Sequence, residues 1–238
     1  MKRIAFKTML AAVVLLQACS GRVYNNKAYL KQVDLEGKRV AILPVEVEFT
    51  GRLPKGMTVS KKMLREEEES TLIQNQLYSQ YLFKAKSGSK KKKAVELINV
   101  DRINSILSER GIDIRDSWAM NPDSLGRLVG ADMVLKVRVK EDRIMSETAS
   151  LGIGVAANVL DNLLSKKDNN HNTNATGVGL TPKTYNMFLN ATLTDVNSHM
   201  VITRFTHNGE ANWNRTPQEV IDSQGRKIVR KGVVYAQK

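Results

Sequence analysis

The chain has 238 residues, with 37 Lys plus Arg against 24 Asp plus Glu for a formal net charge of +13, and 42% hydrophobic residues, enough for one domain with a sizeable core. A single cysteine excludes an intrachain disulfide scaffold and a Cys-rich zinc site, and three histidines leave little for a His-rich metal centre. The composition is neither collagen-like nor that of a broadly disordered chain.

The N-terminus reads MKRIAFKTMLAAVVLLQACS. Lys2, Arg3 and Lys7 form a positive region and Met9 to Leu16 an unbroken apolar run. That is the make-up of a secretory signal peptide, too short for a spanning helix. The only cysteine, Cys19, follows Leu16-Gln17-Ala18. This resembles the bacterial lipobox, in which a small residue precedes the cysteine and an aliphatic one lies three before it; Gln17 departs from the commonest residue at its place. The resemblance implies cleavage after residue 18 and acylation of Cys19, with several acyl chains holding a soluble domain on a membrane. With Ser20 rather than an aspartate behind the cysteine, it further implies the outer membrane, the periplasmic face being the default. The bland alternative is an ordinary signal peptide with a cysteine near its end.

Residues 19–37 are polar and turn-rich and read as a lipidated tether. The remainder, 38–238, reads as a single α/β domain with an insertion at about 141–183. Lys38 to Val47 is the first strand, with Pro44 marking an end or a bulge, and 50–58 is a loop. The spacing predicts a helix over 60–82: Glu66 to Glu69 fill its earlier half, then Ile73, Leu77 and Tyr81 recur every four residues, joined by Leu72. Residues 84–93 (KAKSGSKKKK) form a basic loop, and Ala94 to Val100 a short strand. Asp101 caps a helix whose Ile103, Ile106 and Leu107 share a face, and Gly111 stops it. Asn121 caps the next helix with Pro122 in its first turn; Leu125, Leu128 and Val129 point inward and Gly130 ends it. Over 133–140, Met133, Leu135, Val137 and Val139 alternate with Lys136, Arg138 and Lys140, the pattern of a half-exposed strand.

Residues 150–164 are apolar with helical spacing after Val155, and 165–183 are a loop rich in Asn, Lys and Thr. Tyr185, Met187, Leu189, Ala191 and Leu193 alternate with polar residues except at Phe188. Asp195 to Ser198 make a turn, 200–207 return as a strand, and Gly209 breaks it before Ala211 and Trp213. The tail, 218–238, is mixed helix and strand without a firm place. The layout predicts a small α/β sandwich with a mixed sheet, early helices and late antiparallel strands, not a doubly wound one.

Gly152, Gly154 and Ala157 spell G-x-G-x-x-A, but no second strand with an acidic end follows about twenty residues on, so close packing or a flexible joint explains them. As a helix the fifteen-residue stretch holding Val155, Val159 and Leu160 spans about 22 Å, short of a hydrocarbon core of about 30 Å. It is left to contact the domain's own core, a membrane interface or a sister subunit. Lys90, Lys91, Lys92 and Lys93, with Lys84 and Lys86, form either a solvated loop or an attractor of phosphate, anionic lipid or wall polymer. No aromatics interleave with them for nucleic-acid stacking. His171, His199 and His207 lack metal-ligand spacing, and neither G-x-S-x-G nor H-E-x-x-H occurs. Asp101 and Asp132 sit at element boundaries, where capping or turn duty explains them, and Trp118 and Trp213 read as core or rim. No catalytic residue, metal, cofactor, nucleic acid or small-molecule substrate is expected.

Four stretches line up in order: KRVAILPV at 38–45, VDRINSILSERG at 100–111, PDSLGRLVGADMVLKVRV at 122–139 and FLNATLTDVNSHMVI at 188–202. Leu43 and Pro44 match an aliphatic first strand ending in L-P. Asp101, Arg102, Leu107 and Glu109 match a D/E-R-x-x-x-x-L-x-E element, and Gly130, Ala131 and Asp132 an L-G-A-D turn with Val129 in place of Leu. Ala191, Leu193, Asp195 and Val201 match a late strand–turn–strand, though Ser198 and His199 stand where glycine is frequent. Together they resemble the superfamily of bacterial envelope lipoproteins that includes the curli secretion-channel lipoprotein, the penicillin-binding-protein activator lipoprotein and small lipoproteins with the same α/β domain. The resemblance implies a non-enzymatic, lipid-anchored envelope protein acting by protein–protein binding or self-association, in envelope assembly or secretion. A subunit of an oligomeric export pore and a wall- or anionic-glycan-binding module are the alternatives. The pore would need alternating hairpins where 141–183 offers an apolar helical segment and a polar loop.

Overall fold

In the computed structural model, which describes residues 22–86, 92–146, 183–212, 215–231 and 235–237, the chain runs β1 (Arg22–Asn25), α1 (Lys27–Gln32), β2 (Arg39–Ile42), β3 (Glu46–Gly51), α2 (Val59–Lys86), β4 (Lys92–Ala94) and β5 (Glu96–Leu97). It continues as α3 (Val100–Glu109), α4 (Ile114–Ala119), α5 (Pro122–Val129), β6 (Met133–Arg143), β7 (Tyr185–Asp195), β8 (Val201–Ala211), α6 (Pro217–Lys231) and β9 (Tyr235–Gln237). Seven strands form one sheet in the order β1-β8-β7-β6-β2-β5, with β3 also paired to β6. The pairs β2–β5, β2–β6 and β3–β6 are parallel and the rest antiparallel, so the sheet is mixed, as the pattern predicts.

Alternation along β6 sorts its residues onto two faces. Met133, Leu135, Val137 and Val139 join Met187, Leu189, Ala191 and Leu193 in one core cluster. It is covered by Ile73, Leu77 and Tyr81 of α2 and by Val220, Ile221, Ile228 and Val229 of α6. Among the described residues the other face is covered at one corner only, where Ala41, Leu43, Val134 and Val196 pack on Ile103, Leu107, Leu125 and Val129 of α3 and α5. There α5 lies so close that a Cβ on Gly126 would meet Val196 Cγ2 at 2.5 Å and Val134 Cγ1 at 2.8 Å. Its ends follow the sequence: the Asn121 side chain accepts the Asp123 N–H, and Gly130 closes the helix at φ 71°. Asp132 does turn duty, its carboxylate accepting the Arg39 N–H at 2.8 Å. Beyond this corner Phe188, Asn190, Arg204 and Asn208 are exposed.

Several expectations are corrected. The tether of 19–37 is folded from Arg22 onward: β1 pairs antiparallel with β8, and α1 buries Tyr29, whose hydroxyl donates to Asp195 Oδ2 at 2.6 Å. The strand of 38–47 is two strands, with the end expected at Pro44 lying between them, and both lie on the same edge of β6. The short strand of 94–100 is split between β4 and β5, and Val100 already belongs to α3. The α3 cap is Asn99, which accepts the Asp101 and Arg102 N–H groups, leaving Asp101 in the first turn. Lys84 and Lys86 belong to α2, not to a loop. The insertion expected at 141–183 begins later, since β6 continues to Arg143 in register with Tyr185. Gly209 does not break β8; it lies within it, where a Cβ would press on His207 and on Val220 of α6.

Candidate functional site

Of the residues singled out from sequence, Cys19, Lys90, Lys91, Val155, Val159 and Leu160 lie outside the described residues. Lys92 and Lys93 are in β4, opposite Gln237 and Ala236 of β9. That ribbon brings together the chain that follows α2 and the chain that follows α6.

The α2–α6 seam carries a concavity. Gly225 lets the helices close: a Cβ there would meet Gln80 Oε1 at 2.6 Å and Leu77 Cδ2 at 3.2 Å. Beside this contact the helices diverge into a groove of about 720 Å³, lined by Gln80, Phe83, Asp222, Arg226, Lys227 and Arg230 among others. Gln80 Nε2 donates to Asp222 Oδ1 at 2.7 Å, and Arg226 Nη1 reaches Asp222 Oδ2 at 2.5 Å, so the one carboxylate is satisfied within the wall. Lys227 and Arg230 have no ion pair among the described residues. Phe83 is 79% exposed and Leu82 40%. An exposed aromatic ring beside cations that are unpaired among the described residues has the composition of a contact surface.

Several polar groups elsewhere are tied into the fold. Burial raises the pKa of Glu66, but the Lys62 ammonium at 2.7 Å, the Phe49 N–H at 2.8 Å and Arg115 at 3.0 Å outweigh it, and the carboxyl titrates below its ordinary value. Arg115 also bonds Glu67 and lies 4.7 Å over the Trp118 ring. Glu141, facing the core from β6, is pushed up to about 8, chiefly by burial and then by the nearby Glu69 carboxylate. Glu69 is itself raised by burial, against the opposing pull of Arg65, and accepts a hydrogen bond from the Gln218 amide. His199, at φ 58°, holds Asp123 Oδ2 through Nδ1 at 2.7 Å. The adjacent Ser198 hydroxyl donates to Asp195 at 2.9 Å instead, so no serine–histidine relay is assembled there. Among the described residues no group of three or more His, Cys, Asp or Glu could hold a metal ion, and no helix is long and apolar enough to cross a membrane.

The sequence reading missed Phe83, Arg226, Lys227 and Arg230. A signal was present for the first: Leu82 and Phe83 fall off the four-residue stripe of Ile73, Leu77 and Tyr81, which places them on the solvent side of the same helix.

No family model matches the chain and no curated protein matches its sequence. Solved structures similar to it include the C-terminal domain of LpoB from Salmonella enterica, at 14% identity over 78% of this chain and 91% of that one, TM-score 0.31. Lipoprotein GNA1162 from Neisseria meningitidis is similar at 10% identity over 82% and 95%, TM-score 0.37. The PelC dodecamer from Paraburkholderia phytofirmans is similar at 10% identity over 89% and 92%, TM-score 0.35. Likeness this slight transfers neither partner nor activity.

Proposed function

We propose that this chain is a non-enzymatic, lipid-anchored protein of the bacterial envelope, held at the outer membrane through Cys19 on its periplasmic face, that works by binding another protein at the α2–α6 groove. The observation that carries the reading is Phe83, four-fifths exposed at the mouth of the groove beside Lys227 and Arg230. Covering such a ring is worth about 1.5–3 kcal/mol, and aromatic residues with neighbouring arginines dominate binding energy at protein interfaces. The partner that fits presents an apolar side chain ringed by acidic residues. The absence of a base–nucleophile contact at Ser198 and the structural employment of Glu66, Asp123 and Asp195 favour binding over catalysis.

The test is a photo-crosslinking residue at position 83 in intact cells, with Lys55, in the exposed loop after β3, as the control position. The expected result is one stoichiometric protein product at 83, absent at 55 and lost when Lys227 and Arg230 are both changed to glutamate. Identical products at the two positions, or a monomer recovered without partner from both, would overturn it. The export-pore reading turns on residues 147–182, outside the described residues, and the wall-binding reading on the Lys90–Lys93 run.

A further inference from the structure

The distance between the anchor and the fold has a consequence for orientation. Only Ser20 and Gly21 separate Cys19 from Arg22, the first residue of β1. Three Cα–Cα steps span at most about 11 Å, so an acylated Cys19 keeps the start of β1 within about that distance of its lipid. The margin of the fold that carries β1 must then lie against the headgroups.

That margin has the chemistry for it. Residues 22–32 and 201–208, which hold β1, α1 and most of β8, include Arg22, Lys27, Lys31 and Arg204 and neither Asp nor Glu. All four are exposed and none has an ion pair among the described residues. Tyr24, 54% exposed, pairs across the ladder with Arg204, and Arg22 with Thr206; cross-strand partners and residues two apart on a strand share a face, so Arg22, Tyr24 and Arg204 stand on one exposed face of the sheet. Lys27 and Lys31 stand four residues apart on α1, whose opposite side buries Tyr29. Tyrosine with arginine and lysine is the pattern that settles at a bilayer interface, the ring at headgroup depth and the cations on lipid phosphate.

We infer that the β1–α1–β8 margin, through Arg22, Tyr24, Lys27, Lys31 and Arg204, is a docking surface for anionic phospholipid headgroups. It fixes the domain edge-on to the membrane instead of leaving it to swing on a tether. The inference rests on the anchoring at Cys19 proposed above. The acylated full-length chain, as Tyr24→Cys and as Lys55→Cys, each with a fluorescent dye on the new thiol, is reconstituted into 70:30 phosphatidylethanolamine:phosphatidylglycerol vesicles carrying nitroxide-labelled lipid. The expected result is quenching at least threefold stronger at position 24 than at 55. It weakens at least twofold, the anchor still holding position 24 nearer the lipid than position 55, when Arg22 and Arg204 are both changed to glutamate, or when phosphatidylglycerol is replaced by phosphatidylcholine. A dye at Lys27→Cys repeats the measurement should the β1 variant misfold. Equal quenching at 24 and 55, or quenching at 24 indifferent to lipid charge, overturns the proposal.

The mass of the purified protein reports acylation separately. If Cys19 carries no acyl chain, the anchoring reading fails, and sedimentation of the full chain with the same vesicles decides the docking surface alone. Each cation near an anionic surface strengthens binding about fivefold, so the double glutamate variant should bind at least tenfold more weakly, and an unchanged affinity sinks the surface too.

Discussion

Changing Glu141 to glutamine tests the electrostatics of the sheet–helix interface. In the folded chain this carboxyl is 7% exposed, and burial together with the Glu69 carboxylate lifts it from the ordinary 4.5 to about 8. Because the folded chain holds the Glu141 proton more tightly than the unfolded one, folding takes up a proton between the two titrations. The group's effect on stability is therefore most favourable below about pH 4.5, worsens by about 1.4 kcal/mol per pH unit as the pH rises, and levels off above about 8. The loss amounts to about 3 kcal/mol at pH 7 and about 5 kcal/mol beyond pH 8. Glutamine keeps the shape and never ionises. Urea unfolding of both proteins from pH 4 to pH 9 should give a stability difference that swings toward the variant by that amount, other titrating groups cancelling. A difference constant to within about 1 kcal/mol across the range would mean that Glu141 is not held neutral, and the reasoning would be wrong.

Glu66→Ala should cost about 3 kcal/mol by urea unfolding, since it strands the Phe49 N–H at the β3 edge and releases Lys62 and Arg115. The Glu66 contribution is complete above its ordinary pKa of 4.5 and is lost as the pH falls through its lower folded value, so the gap to wild type should close in acid. Tyr29→Phe should cost about 1–2 kcal/mol in thermal melts through the lost bond to Asp195; no effect would mean that the segment behaves as a tether after all. Gly126→Ala should lower the melting temperature at a cost of about 1–3 kcal/mol from overpacking on Val134 and Val196, although alanine is the better helix former by about 1 kcal/mol.

Much of the fold was legible where a local rule and a tertiary demand coincide. The alternation of 133–140 and of 185–193 is that of strands with one face under helices, and Asn121, Pro122 and Gly130 marked both ends of α5. Legibility failed where a partner far along the chain decides. β1 is four residues long and has no apolar run, and it is a strand because β8 offers it an edge. β5 is two residues held by β2. In the tail, Val220, Ile221, Ile228 and Val229 do mark a helical face, but Gly225 in their midst weakens the signal, and its reason is the contact with α2. The groove was illegible for the same cause: Phe83 and Arg230 belong to helices whose adjacency no local pattern encodes. Asn99 outcompeted Asp101 as cap because Val100, not Ile103, is the first residue to be buried in that turn.

The pairing of β1 with β8 also sets a schedule. Asn25 and Thr203 touch across 178 positions of sequence, so the first strand to be synthesised waits for almost the last before it can be zipped into place. Through that interval the nascent polypeptide has its leading end committed and its seam open. Long-range closure of this kind is slow and exposes unpaired edges to aggregation. Deletions that remove β8 should therefore act at the opposite terminus, freeing Arg22–Asn25 and casting α1 adrift with it. A nonsense codon late in the gene would harm its beginning.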